Sequence, residues 1–183
     1  MTGEPNHRSL PRRTAADTDG DVARVLGKLE ASGQDLLILR LLANSPNAFR
    51  PFVLFADALL NRAALPRSVM EVVILWLAQH HRAPYEWEEH EPMALRAGLR
   101  PAQIDALRTG ALPADLFDDG DRLAVDVARA LTERGDVPPE LWSAAVERWG
   151  DAAALDLVLT VGWWGGLVLS VVRALGLTSP TEV

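Results

Sequence analysis

The chain has 183 residues, of which 49% are hydrophobic and 23% charged, which is typical of a globular protein long enough to bury its own core. The formal net charge of −7 excludes the basic surface that nucleic-acid binding requires, so no nucleic-acid partner is expected. No cysteine is present, which excludes disulfides and agrees with the reducing cytoplasm predicted as its location.

Residues 1–19 differ in composition from the rest of the chain. Residues 1–19 are polar and lack the apolar run of a signal peptide, so they are predicted to form a disordered tail before one helical domain over 20–183. The most apolar stretch, Leu157 to Val172, is shorter than the ~20 residues that span a bilayer. It is predicted to be a buried core or subunit-interface helix, with no membrane partner.

Helical patterns fill the remaining sequence, and strand signals are nearly absent. Pro46 and Pro84 suit the first turn of a helix, and Gly98 suits the position just after a helix ends. With apolar residues spaced three and four apart, these signals predict an all-α fold. The predicted helices cover 21–29, 35–42, 46–62, 67–81, 84–98, 101–110, 118–133, 138–149 and 152–175.

Candidate chemistry centres on the helix that begins at Pro84. Glu86 and His90 are four residues apart and share a helix face, where a carboxylate can orient an imidazole that moves a proton. Glu71 lies in an apolar run on the preceding helix, and a buried carboxylate needs a partner, for which His90 is proposed. The alternatives are that Glu86 and His90 form a solvated pair and that Glu71 faces solvent.

This pattern resembles the carboxymuconolactone decarboxylase family, which is related to the alkylhydroperoxidase AhpD. The resemblance covers roughly residues 36–177 and is most specific from Glu71 to Leu99. The peroxidase branch has a Cys-x-x-Cys-x-x-x-His unit, with a glutamate twelve residues before the first cysteine. Those positions fall on Ala83, Glu86 and His90, with Glu71 upstream. Because thiol peroxidase chemistry requires a thiolate, the resemblance implies the cysteine-free, decarboxylase-like branch.

The resemblance implies an AhpD-like helical domain that assembles as a homotrimer or homohexamer. It implies a cofactor-free lyase (decarboxylase) or isomerase that acts on a small carboxylated lactone or keto acid, with Glu71, Glu86 and His90 as catalytic residues. Decarboxylation leaves a carbanion that delocalises as an enolate, so a donor must stabilise its oxygen and an acid must return a proton.

Five neighbouring side chains are predicted to bind the small-molecule substrate: Tyr85, Trp87, His80, His81 and Arg82. Each has a structural alternative. The two aromatic residues are also suited to the core. The two histidines suit the C-terminus of a helix, where a cation interacts favourably with the dipole. Arg82 is also suited to solvent.

Three further interpretations stay open. Asp156 with the apolar residues after it resembles Glu71 with those after it, and Leu175, Gly176, Leu177 resembles Ala97, Gly98, Leu99. A degenerate internal repeat is therefore as plausible as a chance match. A di-iron site is not predicted, because His90 lacks a glutamate three residues before it. The alternatives to a lyase are a non-catalytic ligand-binding or assembly protein and a metal-dependent hydrolase.

Overall fold

A computed structural model describes residues 10–34 and 36–180, and within them it contains helices and no strand. The helices are α1 (Gly20–Ser32), α2 (Leu37–Leu42), α3 (Pro46–Arg62), α4 (Arg67–His80), α5 (Pro84–Arg96), α6 (Pro101–Arg108), α7 (Asp119–Arg134), α8 (Pro139–Trp149), α9 (Asp151–Gly162) and α10 (Leu169–Ala174). A 3-10 helix covers Ala15–Asp17, and a π-helical segment, Trp163–Val168, joins α9 to α10. The all-α prediction is confirmed.

The chain forms two compact units, Met1–Asp57 and Ala58–Val183, which divide inside α3 and therefore inside the single domain predicted over 20–183. The first unit has a small core, formed by Val22, Leu26, Ala43 and Phe49. Residues 10–19 of the predicted tail include the 3-10 helix, where the backbone N–H of Ala15 donates to Glu30 Oε1 at 2.9 Å. The rest of that predicted tail, residues 1–9, lies outside the described residues.

Helix α4 is the centre of the second unit. Every residue from Val69 to Ala78 is buried, and the helix packs against α5, α6, α7, α9 and the π-helical segment. A helix that is apolar on nearly all sides is stable only inside a core, which explains this central position. The single acid within this run, Glu71, is therefore carried into the interior.

Helix α5 follows α4 after a short turn, and local signals fix both of its ends. Pro84 occupies the first turn, and after the helix Gly98 adopts a left-handed conformation with φ 101°. The N–H of Leu99 then donates to the carbonyl of Ala94 at 3.0 Å, closing the helix as glycine at this position favours. The predicted start of this helix is confirmed, and the helix ends at Arg96, two residues before the predicted end. The turn brings α5 back along α4.

The C-terminal helices form one continuous stretch, Asp151–Ala174, of 24 residues with a mean hydropathy of 1.8. By length and composition it could cross a membrane, but 44% of its most apolar window is buried inside the fold, as in the core helix of a soluble protein. Gly176 follows this stretch with φ 66°, like Gly98 after α5. Asp156, the counterpart of Glu71 in the suggested repeat, instead accepts a hydrogen bond from the backbone N–H of Ala64, and the repeat stays a hypothesis.

Candidate active site

Three predicted site residues converge in the interior of the second unit. Glu71 on α4 is fully buried, and Glu86 and His90 on α5 are each 5% exposed. His90 Nδ1 lies 3.0 Å from Glu71 Oε2, and His90 Nε2 lies 3.9 Å from Glu86 Oε2. The imidazole therefore stands between two carboxyl groups, in hydrogen-bond contact with the first and slightly beyond hydrogen-bond distance from the second. The alternatives, a solvated pair of Glu86 and His90 and a Glu71 that faces solvent, are therefore wrong.

Arg67, in the first turn of α4, completes this cluster, although the sequence analysis did not select it. Its Nη2 lies 2.6 Å from Glu71 Oε1, and its guanidinium also donates to the carbonyl of Leu60. Because an ionised carboxylate only accepts hydrogen bonds, Glu71 Oε1 accepts from Arg67 Nε at 2.8 Å and Glu71 Oε2 accepts from His90 Nδ1–H. His90 Nε2 is then left facing Glu86. The signal in the sequence was an arginine four residues before a glutamate that must be buried.

Glu86 has the most perturbed environment of the cluster. Burial raises the pKa of this carboxyl group from its ordinary value of 4.5 to about 7; His90 opposes the shift and Glu89 adds to it. Glu89 is partly buried, and burial raises its pKa as well. A carboxyl group with a pKa near 7 gives up and recovers a proton at neutral pH, which suits general acid–base chemistry.

A small cavity adjoins Glu86. Its volume is about 10 Å³, close to the space that one water molecule occupies. The wall is largely apolar, with two polar side chains, and is formed by Ile74, Leu77, Ala78, His81, Ala83, Glu86, Trp164 and Leu169. Glu71 and His90 do not line the cavity. Of the three predicted catalytic residues, only Glu86 therefore borders the space in which a molecule can sit.

The π-helical segment forms one side of this region. Trp164 lies edge-on to His90, with ring centroids 5.5 Å apart, and is also part of the cavity wall. Gly165 packs so closely on α4 that a Cβ there would lie 3.0 Å from Leu77 Cδ2, whereas a Cβ on Gly166 would meet nothing within 4 Å. The sequence predicted one regular helix here, and π turns are frequent at functional sites.

The two glycines give a prediction about stability. Gly165→Ala is expected to lower the free energy of unfolding by about 1 to 3 kcal/mol, because the added methyl group overpacks against the buried Leu77. Gly166→Ala, the matched control, is expected to leave stability unchanged or to raise it by up to about 1 kcal/mol through better helix propensity. Urea denaturation of both variants measures the difference, and equal effects would contradict the close packing at Gly165.

The two predicted aromatic ligands lie away from the cavity. Tyr85 is buried, and its hydroxyl donates a hydrogen bond to Glu89. Trp87 is also buried, its Nε1–H donates to Glu91 Oε2 at 2.7 Å, and the guanidinium of Arg108 lies 4.5 Å from its ring centroid. Both side chains therefore support α5 from within the packed structure, as the alternative interpretation expected.

The three predicted ligands at the end of α4, His80, His81 and Arg82, differ in whether they line the cavity. His80 is exposed and stacks on Trp76 at 4.8 Å, and Arg82 is exposed with a positive φ of 52°. Neither lines the cavity. His81, the C-cap residue of α4, does line it, so His81 is the histidine that faces the site. Along the described part of the chain, no group of three or more acidic or histidine side chains is placed to hold a metal ion.

Comparison with known proteins gives the family. The model of the carboxymuconolactone decarboxylase family matches residues 46–133, which include Arg67, Glu71, Glu86 and His90. Over this segment the chain is similar to the carboxymuconolactone decarboxylase family. None of the curated proteins searched matches the chain. The π-helical segment with Trp164 lies C-terminal to the matched segment.

Two solved structures support the AhpD-like fold. One is the crystal structure of an alkylhydroperoxidase AhpD core, an uncharacterized peroxidase-related protein from Ralstonia eutropha JMP134, with a TM-score of 0.78 and 22% identity over 98% of this chain and 95% of that one. The other, an uncharacterized peroxidase-related protein from Silicibacter sp. TM1040, has a TM-score of 0.74 and 15% identity over 96% of this chain and 94% of that one. At these identities the similarity concerns the fold. The predicted AhpD-like architecture is confirmed.

Proposed function

We propose that this relative of the carboxymuconolactone decarboxylase family is a cofactor-free lyase or isomerase that acts on a small carboxylated lactone or keto acid. The observation that carries the proposal is the buried row of Glu71, His90 and Glu86, which ends at a cavity and is paired at its other end with the partly exposed Arg67. Burying two carboxyl groups and an imidazole is costly unless they are paired, and such groups concentrate at sites of proton transfer.

In this proposal Glu86 is the catalytic acid. The substrate carboxylate leaves as CO₂, the electron pair of its C–C bond passes into an adjacent carbonyl as an enolate, and Glu86 gives its proton to the resulting carbanion. His90 and Glu71 are positioning residues. Arg67 balances the charge of Glu71, whose Oε2 fixes the His90 ring so that Nε2 points at Glu86. In an isomerisation, Glu86 would give and take back a proton with no net consumption.

The small volume of the cavity limits how a substrate can reach Glu86. A lactone or keto acid is several times larger than about 10 Å³, so side chains in the wall must move before it reaches Glu86. The π-helical segment contains Gly165 and Gly166 beside Trp164, and glycine restricts the backbone least. A non-catalytic protein that retains this scaffold is the second candidate, and the small size of the cavity favours it.

The pH dependence of turnover tests the proposal. Because Glu86 must carry its proton at the start of the reaction, kcat/KM is expected to fall as pH rises through about 7. CO₂ release and product formation are measured over a panel of carboxylated lactones and β-keto acids between pH 5 and 9. Binding without CO₂ release or isomerisation across the panel would instead support the non-catalytic candidate, and metal found by elemental analysis would reopen the hydrolase.

The histidine is tested separately. His90→Gln is expected to reduce kcat by about 10² or more, because Glu86 loses the fixed imidazole beside it. The exposed His80→Gln is the matched control and should keep wild-type turnover. Unchanged turnover in His90→Gln, with wild-type circular dichroism, would reject the assignment of the site.

Assembly and location are also proposals. A homotrimer or homohexamer is proposed from the family resemblance. Trp163 and Trp164 are already buried within the chain, so any self-association along Asp151–Ala174 would use its exposed leucines, Leu155, Leu159 and Leu167. A cytoplasmic location fits the absence of cysteine, and sedimentation of the purified protein would give the oligomeric state.

A further inference from the structure

Decarboxylation sets a requirement that the buried site must meet. Replacing a C–CO₂⁻ bond by a C–H bond consumes one proton in every turnover. If Glu86 supplies that proton, it must be reloaded from solvent before the next substrate reacts. Glu86 is 5% exposed, and its neighbour His90 is equally buried. A route for protons between solvent and Glu86 is therefore needed.

His81 is placed on such a route. It follows the last turn of α4 and is only partly buried, whereas its Nε2 atom is inaccessible to solvent and has no hydrogen-bond partner among the residues that the structure describes. An unpaired buried imidazole nitrogen is unfavourable, because the hydrogen bond it makes to water in the unfolded chain is not replaced. The same cavity that Glu86 lines is also lined by His81.

The size and lining of the cavity fit one water molecule. About 10 Å³ is close to the volume that a single water occupies, and a bound water needs polar partners, which the Glu86 carboxyl group and His81 Nε2 provide. A methyl group on Gly165 would lie 3.8 Å from His81 Nε2, so this glycine helps to keep the space beside that nitrogen open.

We propose that His81 is a proton shuttle, which reloads Glu86 from solvent through one water molecule bound in the cavity between them. The inference rests on the proposed function of Glu86. Solvent protonates the neutral His81 ring at Nδ1, the Nε2–H bond then breaks toward the water, and one O–H of that water passes its proton to the Glu86 carboxylate. That leaves the neutral ring with its proton on Nδ1, and tautomerisation, which moves no net proton, restores Nε2–H before the next cycle. One proton enters from solvent and one leaves in the new C–H bond, so the cycle balances.

The surrounding charges favour transfer in this direction. Burial lowers the pKa of His81, and His80 on α4 and Arg173 on α10 lower it further, while burial raises the pKa of Glu86. A protonated His81 is thus the stronger acid of the two. Arg173 also donates to the carbonyl of His81 at 2.8 Å, which holds this residue at the end of α4.

Steady-state kinetics of His81→Gln test the shuttle. The variant is expected to lose about tenfold or more in kcat, because reloading of Glu86 limits each cycle, with kcat/KM close to wild type. kcat/KM should not change, because it reports only the steps from the free enzyme to the loss of CO₂, and Glu86 is already protonated in the free enzyme. Added imidazole should restore kcat by replacing the missing ring. Glu88→Gln, an exposed substitution on α5 away from the cavity, is the control and should show neither effect.

A second measurement does not depend on turnover. A high-resolution crystal structure should show a water within hydrogen-bond distance of Glu86 and His81 Nε2, and the ¹⁵N shift of that Nε2 should change in Glu86→Gln but not in Glu88→Gln. A dry cavity with an unchanged shift, or an unchanged kcat in His81→Gln, would overturn the shuttle. Wild-type protein that turns over no substrate would reject the proposed function even if the bridging water is present.

Discussion

Glu86→Gln is expected to reduce turnover by about 10² to 10⁴, because glutamine keeps the size and polarity of the side chain but has no acidic proton to donate. Glu88→Gln, on the exposed face of the same helix, removes the same charge without touching the cavity and should keep wild-type activity. Initial rates of CO₂ release measure both variants. Retention of wild-type activity in Glu86→Gln would remove Glu86 from the mechanism.

The same substitution is expected to stabilise the fold at high pH. The pKa of Glu86 is about 7 in the folded chain and near its ordinary 4.5 in the unfolded one, so the unfolded state releases this proton first as pH rises. Stability is then lost between pH 4.5 and about 7. At about 1.36 kcal/mol for each pKa unit, ionised Glu86 costs the native state about 3 kcal/mol.

The measurement is the free energy of unfolding of wild type and Glu86→Gln between pH 4 and 8. The two should agree near pH 4, where Glu86 is protonated in both states, and the variant should become more stable by about 3 kcal/mol at pH 8. A difference that does not change with pH would contradict the raised pKa. Loss of activity together with a gain of stability is expected for a group that is retained for chemistry.

Arg67→Met is expected to cause the largest loss of stability. Glu71 is fully buried, and Arg67 is its positively charged partner at 2.6 Å. Removing one member of a buried ion pair typically costs about 3 to 5 kcal/mol, because the other charge stays buried and unpaired. Since the Arg67 side chain is 32% exposed, water can replace part of the interaction, and we expect a loss of about 2 to 4 kcal/mol.

Two variants make this test specific. Arg24→Met breaks an exposed pair with Asp21 and should cost less than about 1 kcal/mol. Adding Glu71→Gln to Arg67→Met removes the unpaired charge and should recover part of the lost stability. Urea denaturation measures all three. A loss in Arg67→Met as small as that in Arg24→Met would show that the buried carboxylate does not depend on the arginine.

His90 illustrates how burial changes the choice of variant. The sequence alone suggests His90→Ala, with loss of turnover and an intact fold. In the structure His90 is buried and supplies a hydrogen bond to Glu71 Oε2, so alanine would leave both a cavity and an unsatisfied carboxylate oxygen. Glutamine retains most of the volume and a donor, and therefore separates the chemistry of the ring from its structural role.

Local sequence patterns were enough to predict most of the helix ends and the pairing of Glu71 with His90. Pro46 and Pro84 fix φ at their own positions, and Gly98 allows a positive φ that other residues rarely adopt, so all three mark helix ends whatever the rest of the chain does. The i, i+4 spacing of Glu86 and His90 follows from helix geometry, and Glu71 in an apolar run had to find a buried partner. These inferences depend on local physics and needed no knowledge of packing.

The contacts that the site residues make depend on how the helices pack, which the sequence does not reveal. His80 and His81 are adjacent in sequence, and only the packing of α4 against the π-helical segment directs one to solvent and the other to the cavity. In the sequence Arg67 looks like any exposed arginine, and only the structure shows that it is the partner of the buried Glu71. Within the π-helical segment, Gly165 packs closely on Leu77, a contact between residues 88 positions apart that no local pattern encodes.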